Sequence, residues 1–283
     1  MVRALIQCVV VLYKQPIEEA KSVSSLVEIC RQNPSIAEKL RIFVQDNSPE
    51  TNSPGRDLDA FNIEYHHAPT NPGLPSAYNQ AMKIAKQHDA SWLLLLDHDT
   101  VLDQGFLLQL LDAVQGNLAR ESCAFVPKLV KGDRVCSPHT IRMGSYVPVH
   151  INFSGFTPRP LVPCNSGSCL KIQALEAIGG FPEEYWLDFL DFIVFHKLQA
   201  AGGRVCVLDS RLEHNLSLLN LETEMSVARY TNMLAAEWMF VRETGSRGGP
   251  LIHRLRLLKR ALRHALVLRN KDYAFRTLRA ALG

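Results

Sequence analysis

The segment Leu93-Leu94-Leu95-Leu96-Asp97-His98-Asp99-Thr100 delivers two carboxylates to the end of an apolar run. Side chains alternate along an extended backbone, so a continued strand puts Asp97 and Asp99 on one side. Two close carboxylates repel each other unless a cation lies between them. Hard oxygen ligands of this kind suit Mg²⁺ or Mn²⁺, which bind through one or two carboxylates plus phosphate oxygens. The competing reading is a solvated turn, where Asp is common. A second pair, Asp188 and Asp191, lies three residues apart at the predicted start of a helix and so shares a face. Such a pair serves acid–base chemistry, or it merely favours a helix N-terminus. The small polar stretch Asn165-Ser166-Gly167-Ser168 provides either ligand contacts or a close backbone approach.

These residues need elements to hold them. Ala4–Leu12 reads as a buried strand, and Ile17–Arg31 has helical spacing. Arg41–Gln45 and Asn62–His66 are predicted strands, Leu74–His88 a helix, Ser91–Leu96 a strand and Gln104–Gln115 a helix. Ser91–Leu96 is continuously apolar and expects cover on both faces. Further along, Cys123–Val130, Cys164–Lys171 and Arg204–Leu208 read as strands. Asp188–Ala201 and Glu222–Thr244 read as helices, and a helix or helix pair closes the chain. The order implies an α/β fold, with a mostly parallel, Rossmann-like central sheet, helices on both faces and C-terminal helices. In such sheets ligands bind beyond the carboxyl ends of the strands, here Tyr13, Asp46-Asn47, Asn71 and Asp97–Thr100.

The 283 residues suffice for one large α/β domain, alone or with an appendage. Seven scattered cysteines without a C-x-x-C pair argue against a disulfide framework or a zinc site, and for a reducing, cytoplasmic setting. No run approaches about 18 uninterrupted apolar residues, so no transmembrane helix is expected. The net charge of +3 conceals an asymmetry. Residues 251–283 carry nine Lys and Arg against one Asp, whereas the other 250 carry 22 against 27 acidic residues. An acidic body without a recognition motif does not fit nucleic-acid binding.

Several segments, in order, carry a family likeness. They are Cys8–Tyr13, Val44–Ser48, Asn71-Pro72-Gly73-Leu74 with Ala77-Tyr78-Asn79, Leu96–Thr100, Gly179–Pro182 followed by Tyr185–Asp191, and Asp209–His214. Together they resemble the family 2 glycosyltransferases of the nucleotide-diphospho-sugar transferase (GT-A) fold, and among these the bacterial rhamnosyltransferases. The resemblance spans about Gln7 to Ser217. It implies donor-nucleotide contacts from Val11, Tyr13, Asp46, Asn47, Asn71, Gly73, Asn79 and Asp97. Asp46 would meet the base, with an Asx turn as the alternative. The resemblance further implies a Mg²⁺ or Mn²⁺ ion at Asp97 and Asp99, with His214 holding the metal or the diphosphate. His98 is expected to point away. Asp191 would be the general base and Asp188 its support. Two departures are Ile193, where the family usually has a second acidic residue, and Lys197 in place of an Arg.

The implied reaction is inverting transfer of a sugar from a nucleoside diphosphate, dTDP- or UDP-linked, to a hydroxyl of a growing surface glycan or lipid-linked saccharide. Rhamnose from dTDP-rhamnose is the donor the likeness favours. Residues 1–220 would form the catalytic domain and 221–283 a basic, amphipathic helical extension. Its stripe Leu251, Leu255, Leu258, Leu262 and Leu266 either lies on an anionic membrane surface at the inner face of the cell membrane or packs on the domain. Two rivals stay open. A sugar-1-phosphate nucleotidyltransferase would want a Gly-rich basic loop where Tyr13-Lys14-Gln15-Pro16 stands. A non-catalytic scaffold of the same fold would tolerate Ile193.

Overall fold

A computed structural model describes residues 5–51, 61, 63–142, 145–213, 221–245 and 249–283. The first half runs β1 (Ile6–Leu12), α1 (Lys21–Gln32), α2 (Pro34–Ala37), β2 (Leu40–Asp46), β3 (Ile63–His67), α3 (Leu74–Gln87), β4 (Trp92–Asp97), α4 (Gln104–Gln115) and α5 (Leu118–Glu121). Then come β5 (Ser122–Lys131), β6 (Arg134–Ser137), β7 (His139–Arg142), β8 (Ser145–Pro148), β9 (Gly155–Phe156), β10 (Leu161–Val162) and β11 (Cys169–Lys171). The chain ends with α6 (Ile172–Ala177), α7 (Leu190–Ala200), β12 (Arg204–Glu213), α8 (Leu221–Glu224), α9 (Val227–Thr244), α10 (Gly249–Val267) and α11 (Asp272–Leu282). Ala4 and Asn62, expected in the first and third strands, lie outside the described residues.

The main sheet has the order β3-β2-β1-β4-β11-β5-β12-β9, with β6 on β5. Pairs β2–β3, β1–β2, β1–β4 and β5–β12 are parallel, and β11 is antiparallel to both β4 and β5. The apolar run of β4 explains its central place. Leu94 and Leu96 face one core with α1 and α4, and Leu93 and Leu95 face the other with α3 and α7. Each such leucine, taken wholly from water, contributes about 1.5–3 kcal/mol. Asp103 caps α4, its side chain accepting from the Phe106 N–H at 2.8 Å.

Four expectations shift for local reasons. The strand expected over Cys164–Lys171 shrinks to β11, because Gly167 adopts φ +73° and its N–H turns back to the Leu95 carbonyl. Conversely, β12 runs to Glu213 by way of a register shift between Val207 and Arg211. The single helix expected over Glu222–Thr244 breaks at Met225-Ser226, where the Ser226 hydroxyl caps α9. The helix expected from Asp188 starts at Leu190, since Phe189 takes the left-handed conformation (φ 66°). The aperiodic middle of the chain holds a small separate sheet, β10-β7-β8.

Helices α9, α10 and α11 share a small core of their own, with Met225, Tyr230, Leu234, Leu257, Tyr273 and Ala281 buried. They are also tied to the body. Phe240 of α9 packs into the core over α7, Tyr185 donates to Glu243 at 2.9 Å, and Lys197 pairs with Glu243 at 3.0 Å.

Candidate active site

The carboxyl ends of β1, β2 and β4 border a cavity of about 1380 Å³. Val11, Tyr13, Asn47, Asn71, Gly73, Asp97, Asp99, Asp188 and Asp191 all line it. Residues from five separate stretches of sequence therefore converge. Asp97 and Asp99 do not converge by strand alternation. β4 ends at Asp97, and the Thr100 N–H closes a turn onto the Asp97 carbonyl at 3.2 Å. The turn, not the pleat, brings both carboxylates to the cavity. It also brings His98 into the lining, where the sequence pointed it away.

Asn71 sits at φ 48° and Gly73 at φ 88°. A Cβ on Gly73 would stand 2.5 Å from the Trp186 carbonyl oxygen, so only glycine admits this approach. The contact is fastened twice: Leu74 N–H donates to the Trp186 carbonyl at 3.0 Å, and the Trp186 indole donates to the Asn71 carbonyl at 3.1 Å. The donor-side loop and the Asp188–Asp191 loop are thereby joined across the cavity.

Two residues expected at the nucleotide are turned to structural work. Asp46 is fully buried and absent from the lining. One carboxylate oxygen accepts from the Ser48 N–H at 2.9 Å, forming an Asx turn, and the other from the Tyr65 hydroxyl at 2.6 Å. Asn79 clamps the Gly180-Phe181 turn, donating to the Phe181 carbonyl at 2.8 Å and accepting from its N–H at 2.9 Å. His214 lies outside the described residues.

Asp188 is not on the helix, contrary to the shared-face expectation, and it makes no cap. It pairs instead with Arg229 of α9 at 3.3 Å. Burial raises its pKa, and the Arg229 charge opposes that. Asp191 occupies the first turn of α7, and burial pushes its carboxyl up to about 7. The Phe192 N–H, donating at 2.9 Å, works against that rise, and the negative charges of Asp97 and Asp188 reinforce it. A carboxylate poised near neutrality is suited to proton abstraction. The buried Tyr78 hydroxyl, without a hydrogen-bond partner among the described residues, lies in the field of Asp97 and Asp191. Burial, then those two charges, raise its pKa and keep it a proton donor.

The carboxylates at the strand end invite a cation, since Asp97 and Asp99 line one cavity and the charge of Asp97 is felt as far as Asp191. Among the described residues no group of three His, Cys, Asp or Glu side chains is placed to hold a metal. Two carboxylates on one cavity are the kind of oxygen donors that a hard divalent ion takes together with phosphate and water.

The far wall was not foreseen in detail. Arg229, Tyr230, Asn232, Met233 and Glu237 of α9 line it, with Arg260, Arg263 and His264 of α10. Glu237 is buried and takes a two-pronged grip from Arg260, at 2.7 and 2.9 Å. Phe189, Phe192 and Tyr146 add an aromatic edge, with ring centroids 4.7 Å (Phe189–Phe192) and 5.4 Å (Tyr146–Phe192) apart. The basic tail was the only sign of this wall in the sequence, and it did not say which residues turn inward.

The fold resembles solved structures of S. aureus TarS. The 1–349 fragment of TarS aligns at TM-score 0.54 and 12% identity, over 98% of this chain and 70% of that one. A longer TarS chain gives 0.53 and 13%, over 96% and 55%. The fragment in complex with UDP-GlcNAc gives 0.50 and 14%, over 98% and 91%. At such identities the likeness establishes the fold alone. No curated protein matches the chain. The model of glycosyl transferase family 2 matches residues 9–165, from β1 past the strand-end carboxylates to Asn165 in the cavity lining. With more than half of its length so matched, the chain belongs to glycosyl transferase family 2.

Proposed function

We propose that this family 2 member is an inverting glycosyltransferase that works from a pyrimidine nucleoside-diphosphate sugar. The observation that carries the reading is the meeting of Asp97 and Asp99 with Asp191 in one cavity. Val11, Tyr13, Asn47, Asn71 and Gly73 border the donor nucleotide. A divalent cation, Mg²⁺ or Mn²⁺, held by Asp97 and Asp99 supplies neutralising charge for the leaving diphosphate when bound. His214 is the proposed third contact to the metal or the diphosphate.

Asp191 takes the proton of the acceptor hydroxyl as that oxygen attacks the anomeric carbon from the face opposite the leaving group. One carbon–oxygen bond forms as the other breaks, so configuration inverts. Asp188 acts through position: its pairing with Arg229 holds the loop that leads into α7 and Asp191.

Solved structures of S. aureus TarS with UDP and UDP-GlcNAc favour a uridine donor by likeness of fold. The rhamnosyltransferase resemblance favours dTDP-rhamnose. The acceptor is a hydroxyl of a growing surface glycan or lipid-linked saccharide. Residues 1–220 carry the transfer chemistry, and 221–283 complete the acceptor wall and meet an anionic membrane surface from the cytoplasmic side. Calorimetric titration with dTDP and UDP, with and without Mn²⁺, tests the donor site. Metal-dependent binding that is lost in Asp99→Ala is expected. Absence of binding by either nucleotide under every metal condition would overturn the reading.

A further inference from the structure

Helix α10 has two sides of different character. His253, Leu257, Ala261 and His264 are buried against the neighbouring helices. At 3.6 residues per turn, the stripe Leu251, Leu255, Leu258, Leu262 and Leu266 is centred roughly 145° away. That stripe faces solvent: Leu251 is 71% exposed, Leu255 59%, Leu262 63% and Leu266 76%. The leucines that made α10 look like a packing helix are thus its outer face. Phe275, Leu278 and Leu282 of α11 are exposed as well. Ten of the sixteen large apolar side chains exposed among the described residues lie between Leu251 and Leu282. Apolar exposure concentrated in this way marks a surface that meets something.

Charge selects the partner. The leucine stripe is flanked by exposed Arg254 on one side and by exposed Lys259 on the other, with Arg263 at the seam between the stripe and the cavity wall. None of the three has a carboxylate partner among the described residues. An apolar stripe between cations is the pattern of a helix lying in a lipid–water boundary, with its apolar face a few ångströms into the acyl region. A second copy of this chain fits poorly. A two-fold dimer sets the same patch against itself, so the cations would face like charges. No helix among the described residues is long and apolar enough to cross a membrane.

We propose that α10 seats the protein on an anionic bilayer through Leu251, Leu255, Leu258, Leu262 and Leu266, while the opposite side of the same helix walls the catalytic cavity. Arg260, Arg263 and His264 of α10 line that cavity. One helix, about 10 Å across, then separates the lipid surface from the site of transfer. The docking itself follows from the exposed face; only what it delivers, an acceptor held in the membrane, rests on the glycosyltransfer reading.

The test is flotation of the full chain with vesicles of phosphatidylcholine alone and of phosphatidylcholine with one-third phosphatidylglycerol. Binding to the anionic vesicles, weakened by salt, is expected. The double variant Leu255→Asp/Leu262→Asp should bind about a hundredfold more weakly, and Arg254→Gln/Lys259→Gln several-fold more weakly. Nucleotide titration of the same samples separates the two readings, since none of the four substituted residues lines the cavity and the variants should bind nucleotide as the parent does. Parent protein that floats with neither vesicle overturns the proposal. So does a dimer seen by light scattering in the parent and lost in the leucine variant, which would assign the face to a second copy.

Discussion

The two walls of the cavity are built on different principles. On the strand wall, polar groups arise where backbone runs out: Tyr13 after β1, Asn47 after β2, and Asp97 and Asp99 at the turn after β4. Turns closed within a few residues hold them, such as Thr100 to Asp97 and Ser48 to Asp46, and neighbouring strand ends are tied together, the Asn47 N–H donating to the Leu12 carbonyl at 2.9 Å. On the helix wall, charges are held by partners far along the chain: Asp188 by Arg229 and Glu237 by Arg260. The strand wall is thus prearranged by its turns and by the pairing of the strands themselves. The helix wall exists only once α9 and α10 have docked.

Substitutions can break this contrast. The largest effect is expected for Asp191→Asn, which should lower kcat about 10²–10⁴-fold while nucleotide affinity stays near that of the parent. Transfer by the parent should rise with pH and level off above about 7, where Asp191 is ionised. The stability effect has the opposite sense. An unfolded Asp titrates at about 3.9, so between about 4 and 7 the folded state binds the extra proton and stability falls as pH rises. Asp191→Asn cannot ionise and should melt above the parent at pH 8 but not at pH 4. A pH-independent difference would place Asp191 outside the buried, charge-crowded setting argued here.

Next in size is Gly73→Ala, at the junction of the walls. The φ of 88° and the Trp186 backbone leave no room for a Cβ. A loss of about 2–3 kcal/mol in denaturant unfolding, with weaker nucleotide binding, is expected. Glu237→Ala strips Arg260 of its buried partner on the helix wall. It should cost about 2 kcal/mol in stability and raise the KM for acceptor more than that for donor. Smallest is Tyr65→Phe on the strand wall. It removes one of the two hydrogen bonds that hold the Asp46 carboxylate, at a cost of about 1 kcal/mol. Nucleotide affinity measured by calorimetry should change by less than about threefold. A large loss of affinity would mean that Asp46 reaches the base after all.

The strand wall was legible in the sequence because it follows from local rules. Four leucines before two aspartates announce a buried strand and its polar end, and Asn71-Pro72-Gly73 announces a turn. Legibility failed where a side chain had two plausible partners. Asp46 and Asn79 have the right chemistry for a nucleotide, but Tyr65, Ser48 and the Phe181 backbone claimed them first. Asp188 matched a helix start by spacing, yet Phe189 turned left-handed and passed it to Arg229.

By itself the sequence determined the alternation of strands and helices, the apolar β4 that must lie at the centre of a two-faced sheet, and the carboxylates at its end. Those follow from periodicity and from the burial of apolar surface, which act over a few residues. Only the tertiary structure decided which carboxylates meet, which arginines turn into the cavity, and which face of α10 stays outside. A helix with leucines on one side and His253, Leu257, Ala261 and His264 on another offers two faces for packing. The choice between them is made by the partners that α9 and α11 present, and no local pattern contains them.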